Sequence, residues 1–336
     1  MKEKIEKQMD EYMEKYLSLY PFSGSIAAIY KGEVVFNKAY GLASIELDVP
    51  NTPQTKHKIW SVTKQFTAAA ILMLEERGLL KVEDSLKKYF SDCVALDERI
   101  TIHHLLTHTS GLFNSSEIKD NSFHVLPQKT ADLLKWHTAL MGDKLLSHEY
   151  IDKMNTDYMN NYGYGVEVSE VDGKCIVEHG GGHEGFYAYL ARRLDDDFAG
   201  AVITNYGFGE GVGILNDAIK DITLGNPYEM PAKPPVHEID RHLLDEYIGK
   251  YEDEHFPVDY ELKRVGDELH LIRMKYGNGP FILPVYPISD TELQHTWTDE
   301  TYELGKTNDG IPTLLGIKKL DATQVSLDES KNNNTI

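Results

Sequence analysis

Cysteine is nearly missing from this chain: Cys93 and Cys175 are the only two in 336 residues. Two thiols make no disulfide framework, and these have no metal-ligand spacing, so they fit a reducing compartment as inert core or surface groups. Long apolar runs are missing as well. No segment approaches the roughly 20 apolar residues needed to cross a bilayer. The first twenty residues are charged throughout and lack the apolar stretch of a signal peptide; Ile5, Met9, Tyr12, Tyr16 and Leu17 recur there at helical spacing, as in a packing helix. Basic charge is short too. There are 34 Lys and Arg against 54 Asp and Glu, a formal net charge of −20, which repels nucleic-acid phosphates and anionic membrane surfaces. These absences set the expectation of a cytoplasmic protein with no nucleic-acid and no membrane partner. A hydrophobic fraction of 41% and a charged fraction of 26% belong to ordinary folded proteins, and the length allows a large and a small domain.

Two β-rich runs, 24–31 and 34–40, flank Lys31-Gly32-Glu33 and predict a hairpin. From Ser61, the residues Val62, Phe66, Ala69, Ala70 and Met73 repeat at helical spacing, with Gly78 as the stop. Shorter helical patterns cover 84–90, 101–107, 131–141 and 147–154, the last with an N-cap signal at Ser147. Strand patterns then return at 164–169, 174–179, 186–193 and 199–205, and 212–222 closes with a helix. This order predicts an α+β domain, an antiparallel sheet flanked by helices, over residues 1–225. Pro227, Pro231, Pro234 and Pro235 mark a linker over 226–238. Alternating strand patterns then predict a β-barrel-like domain over 239–328, and a polar tail over 329–336 reads as disordered. Tyr247, Tyr251 and Tyr260 are expected in the barrel core.

The sharpest chemical signal is Ser61-Val62-Thr63-Lys64 at the head of an apolar helix, because one turn brings the Lys64 amine beside the Ser61 hydroxyl. A desolvated lysine loses its proton more readily and can activate the serine for acyl transfer. The plainer reading makes Ser61 a helix cap and Lys64 a solvated side chain. The second signal is His179-Gly180-Gly181-Gly182 at the end of a predicted strand. Glycines there let a substrate lie on the backbone and free N–H groups for an oxyanion; the plainer reading is a strand-ending turn.

Residues 59–70 (Ile-Trp-Ser-Val-Thr-Lys-Gln-Phe-Thr-Ala-Ala-Ala), Leu74-Glu-Glu-Arg-Gly78, the run 100–112 ending His-Thr-Ser-Gly-Leu112, Thr130-Ala-Asp-Leu-Leu-Lys-Trp136 and His179-Gly-Gly-Gly182 together resemble the serine β-lactamase and penicillin-binding-protein-like hydrolases, class C branch. The likeness covers about residues 20–225, and the C-terminal part resembles the lipocalin-like β-barrel domain of some members. It implies the β-lactamase/DD-peptidase-like fold, Ser61 as acylated nucleophile, Lys64 as activator, and His179-Gly180-Gly181 in place of the family's K-T-G strand motif. The N–H groups of Ser61 and Gly182 would form the oxyanion hole, beside Gly181. The implied substrates are a D-alanyl peptide, a β-lactam or a small ester or amide.

One family element is missing. The Tyr-x-Asn motif belongs between Leu112 and Thr130, where a short polar stretch holds no tyrosine. Its tyrosine shuttles a proton worth about 10²–10⁴-fold in rate. Tyr158-Met159-Asn160 has the spelling but the wrong place; Tyr162 and Tyr164 are further guesses at a substitute. Loss of the segment is expected to widen the cleft and expose apolar surface, to be covered by the C-terminal domain or by a second subunit in a homo-oligomer. The rival to a hydrolase is therefore a catalytically impaired member that binds a ligand or partner through the inherited cleft. Neither cofactor nor metal is expected: His104 and His108 lie one helical turn apart with His103 beside them, but no further ligand follows, and Asp195–Asp197 lack the glycine and glutamate of a calcium loop.

Overall fold

The computed structural model describes residues 1–112, 128–142, 144–183, 185–206, 211–252, 258–275, 281–296 and 300–320. Most of the short polar stretch before Thr130 and the whole polar tail lie outside these. The chain divides into two compact units, the first holding Met1–Leu17 and most of 22–230, the second Ser18–Pro21 and the residues from Pro231 onward.

The first unit opens with helix α1 (Lys2–Leu19). Its buried stripe is Ile5, Met9, Tyr12, Met13 and Tyr16, one face of a 3.6-residue period; Leu17, expected in that stripe, is exposed and Met13 takes its place. Strands β1 (Gly24–Tyr30) and β2 (Glu33–Tyr40) form the expected hairpin around Lys31 and Gly32, both at positive φ. A small ribbon of β3 (Leu42–Ser44) and β4 (Val49–Pro50) precedes a 3₁₀ turn, Trp60–Thr63, which feeds helix α2 (Lys64–Glu76). The segment 84–90, expected as helix, holds only a 3₁₀ turn, Leu86–Lys88, opened by the Ser85 hydroxyl accepting from Lys87 N–H. Three helices follow: α3 (Ile102–Leu106), α4 (Thr130–Met141) and α5 (His148–Met154). Ser147 holds the N-cap position of α5 without a side-chain capping bond.

Strands β5 (Glu167–Val171), β6 (Lys174–His183), β7 (Phe186–Arg193) and β8 (Phe198–Thr204) then meander, and helix α6 (Val212–Leu224) ends the unit. The strand order is β2-β1-β8-β7-β6-β5, with every pairing antiparallel. Thus β8 pairs with β1, and the two ends of the unit meet in mid-sheet. This is the β-lactamase/DD-peptidase-like fold that the sequence predicted. One sheet face carries alternating Ala27 and Ile29 of β1, Ala199, Ala201 and Ile203 of β8, and Ala188 and Leu190 of β7, packed on Leu133 and Leu134 of α4 and on Val62 of the nucleophile turn. A neighbouring core joins Ala68, Ala69 and Leu72 of α2 to Ile151 and Met154 of α5.

The second unit has helix α7 (Arg241–Tyr247) and eight strands: β9 (Gly249–Glu252), β10 (Val258–Val265), β11 (Glu268–Lys275), β12 (Phe281–Ser289), β13 (Glu292–His295), β14 (Thr301–Lys306), β15 (Pro312–Leu314) and β16 (Ile317–Lys318). They pair in sequence order, and the Tyr251–Lys319 bridge with Leu320 N–H on Lys250 O brings the last strand back to the first, nearly closing a barrel. Tyr247 and Tyr251 are buried as expected, the Tyr251 hydroxyl donating to Tyr247 O at 2.5 Å. No helix among the described residues is long and apolar enough to cross a membrane.

Leu72 is fully buried between α2 and its partners. Leu72→Ala is expected to cost about 2–5 kcal/mol through lost transfer and cavity terms, read as a lower urea midpoint for the first unit; an unchanged midpoint would contradict this core.

Candidate active site

Ser61 does not sit at the first residue of an α-helix. It lies inside the 3₁₀ turn that leads into α2, where the Lys64 Nζ donates to Ser61 Oγ at 2.5 Å. The tight turn reproduces the one-turn spacing that the sequence suggested. Trp60, just before the serine, has φ +45°, a left-handed conformation that costs a non-glycine residue about 1–3 kcal/mol unless its surroundings hold it. They do: the Trp60 ring packs on His183 at 4.9 Å between centroids, and the Lys58 ammonium lies 5.0 Å from it. Lys64 is half-buried, and burial holds its amine below the ordinary lysine value of 10.5, toward the neutral form that accepts a proton.

The glycine run does not end its strand. β6 continues through Gly180, Gly181, Gly182 and His183, paired with β7 to the last residue. Each glycine has its own reason. A Cβ on Gly181 would stand 2.3 Å from Ile59 O and 2.7 Å from Ser61 N, so only glycine lets this strand lie on the nucleophile turn. A Cβ on Gly182 would stand 2.0 Å from Cδ1 of Tyr187, whose ring fills that space. The ladder with β5 covers only Lys174–Glu178. From His179 onward the outer edge of β6 therefore has no strand partner among the described residues, which leaves backbone groups for a ligand.

His179 is buried, and its Nδ1 faces Gly180 O at 2.5 Å. With that nitrogen as donor, Nε2 accepts from the Tyr162 hydroxyl at 3.0 Å. Burial lowers the His179 pKa and outweighs the Gly180 carbonyl that raises it; the nearby Lys64 and His108 lower it further. Tyr162 is pushed up to about 12 by burial and by Glu167, so its hydroxyl stays protonated at neutral pH. His108, at φ +57°, stacks 5.2 Å from the Tyr162 ring, and burial and the Lys64 charge lower its pKa. Lys64, which touches Ser61, thus bears on His108 and His179, and Tyr162 joins these two histidines.

Tyr162 is the member that motif spelling ranks lowest. Tyr158-Met159-Asn160 keeps the spelling but turns elsewhere: Tyr158 donates to Lys153 O at 3.0 Å and stacks on Tyr164 at 4.6 Å, while the Tyr164 hydroxyl meets His103 Nδ1 at 2.8 Å. That cluster packs helices. The signal that could have found Tyr162 is the strand pattern after it, since a chain entering β5 must pass the open edge of β6.

Histidines at 103 and 104 have structural partners; His104 Nδ1 accepts from Thr101 N–H in a capping box on α3. Asp195 accepts from Cys175 N–H, Asp196 binds Lys174 and Arg193, and Asp197 takes a left-handed turn. Among the described residues no cluster of three or more His, Cys, Asp or Glu side chains is placed to hold a metal ion.

Residues 7–137 match the family model described as Beta-lactamase. Among curated proteins, "Protein flp" of Staphylococcus aureus (strain COL) is 33% identical over 179 residues, 52% of this chain and 35% of that protein. The chain therefore spans about a third of that relative's length. Among solved structures, the octameric penicillin-binding protein homologue from Pyrococcus abyssi superposes with a TM-score of 0.55 at 18% identity, covering 92% of this chain and 98% of that one. The D-amino acid amidase from Ochrobactrum anthropi SV3 gives a TM-score of 0.53 at 14% identity over 65% of this chain and 98% of that one. At these identities the structures speak for the fold.

Gly181→Ala forces a methyl group into backbone atoms of the Ser61 turn. The expected result is a loss of about 1–3 kcal/mol in stability together with about 10²-fold slower labelling of Ser61 by a fluorophosphonate. A variant that melts and labels like the parent would refute the close approach.

Proposed function

We propose that this chain, which belongs to the β-lactamase and penicillin-binding-protein-like family, is a serine hydrolase that forms an acyl-enzyme on Ser61 with a D-alanyl peptide, a β-lactam or a small ester or amide. The observation that carries the proposal is the 2.5 Å contact between Lys64 Nζ and Ser61 Oγ, with the amine half-buried and pushed toward its neutral form. A neutral amine accepts the hydroxyl proton as Oγ attacks the carbonyl carbon. The new C–O bond makes a tetrahedral oxyanion. Its charge is assigned to N–H groups of the Ser61 turn and of the Gly181–Gly182 edge.

Collapse of that intermediate breaks the bond to the leaving group, which must leave with a proton. The proton held by Lys64 supplies it, and Tyr162, protonated and held on His179, is assigned the transfer in place of the missing tyrosine. Water, deprotonated by the same groups, then releases the acid and restores Ser61. The D-amino acid amidase neighbour fits amide substrates, and the octameric neighbour fits a homo-oligomer. The free Cys93 and Cys175 fit a cytoplasmic site.

Ser61→Ala is expected to abolish both ester turnover and the covalent fluorophosphonate or penicillin adduct seen by intact-mass spectrometry. No adduct on the parent protein, with ligand binding untouched by Ser61→Ala, would favour the impaired-binder reading instead. Tyr162→Phe should lower kcat/KM by about 10²–10⁴-fold and Tyr158→Phe should leave it near the parent value; equal effects would remove Tyr162 from the reaction.

The pH dependence follows from the sign of the lysine shift. Because the folded Lys64 releases its proton below 10.5, the neutral base accumulates as pH rises, and the acylation rate should climb with a midpoint below that value. A rate that is flat across the alkaline range, or a midpoint at or above it, would remove Lys64 as the base.

A further inference from the structure

A cavity of about 500 Å³ within the first unit has Lys64, the hydrogen-bond partner of Ser61, in its wall. One wall is a single stripe of α2, Lys64, Thr67 and Ile71, residues that share a helix face. The opposite wall comes from the 3₁₀ turn and from α3: Leu86, Phe90, Ile102, Leu105 and Leu106. His108 and Gly165 also line it. Gly165, at φ +68°, sits where a Cβ would stand 2.6 Å from Lys64 O, so the chain presses on the first turn of α2 there. The cavity has the size of a small-molecule pocket.

Two features decide what would enter. Among the described residues that line it, Lys64 is the only lysine or arginine, and its amine is directed to Ser61 Oγ rather than to a carboxylate in the cavity. Apolar groups are also left facing solvent at this wall: Phe90 is 59% exposed, Tyr89 42% and Leu105 39%, three neighbouring lining residues where isolated ones would need no explanation.

We infer that this cavity binds the uncharged, apolar acyl chain of an ester or amide substrate, of medium length, while its carbonyl lies at Ser61. The inference rests on the serine-hydrolase reading above and narrows its substrate class. The acyl side is chosen because Lys64 both lines the cavity and touches the nucleophile. A carbonyl carbon bonded to Ser61 Oγ therefore carries its chain past the lysine stem into the apolar space, whereas a leaving group departs. The chain stays in place through acylation and deacylation, and burying it favours both steps over a chain left in water.

The test is a series of p-nitrophenyl esters from acetyl to decanoyl, run beside acetates of alcohols of increasing length. With the acyl series, kcat/KM should rise about threefold per added methylene until the cavity fills, and the alcohol series should stay flat. Ile71→Trp fills the cavity and should lower the octanoyl-to-acetyl ratio of kcat/KM by about tenfold or more. Phe90→Ala, at an exposed position that does not threaten folding, should lower the same ratio by a smaller factor. A Ser61-dependent turnover that is flat in acyl length, or that follows the alcohol instead, overturns the inference and leaves the hydrolase reading standing. If Ser61 proves unreactive, the hydrolase reading falls. The cavity is then judged on saturable binding of decanoyl amide to the Ser61→Ala protein by calorimetry: binding weakened by Ile71→Trp supports an acyl site, and no binding overturns it.

Discussion

The site depends on a close approach of backbones. β6 can lie against the Ser61 turn only because Gly181 has no side chain, and the chain before β5 can press on the start of α2 only because Gly165 has none. Backbone atoms cannot step aside as a long side chain can. Two such contacts, on the Ser61 turn and on Lys64 O, hold Ser61 and Lys64 between fixed walls. The left-handed Trp60 stands at the head of the same turn, its ring held by His183 and Lys58. Preorganisation of this kind is where the energy for orientation is supplied, during folding and not at the moment of reaction.

Electrostatics within that frame follow from burial and not from ion pairing. The only cause acting on Lys64 is desolvation, and for His108 and His179 desolvation is the largest, with the Lys64 charge adding to it. These three basic groups all shift toward neutrality. His179 then works through its hydrogen bonds, Nδ1 to Gly180 O and Nε2 from Tyr162, and offers no positive charge to a substrate.

Much of this was legible in the sequence where the parts are close along the chain. Ser61 and Lys64 are three residues apart and their contact is a matter of one turn; the hairpin, the meander and the α-helical patterns obey local periodicity. The misses have physical reasons. The glycine run was read as the end of a strand because glycine weakens strands in isolation, yet β7 pairs with it throughout, and the absence of Cβ serves contacts with Ile59, Ser61 and Tyr187 that no local pattern announces. Helix α7 and strands β9 and β13 are too short to show a period. Tyr158 had the spelling of the missing motif, but spelling fixes spacing along the chain and not direction in space; the stack on Tyr164 claims it.

In the proposed mechanism Tyr162 completes the site from a different part of the fold. A proton carrier has to present a hydroxyl near the reacting atoms and keep its proton at working pH, and neither demand names the element that carries it. The chain reaches the open edge of β6 at Tyr162, and burial keeps its hydroxyl protonated while His179 fixes its direction.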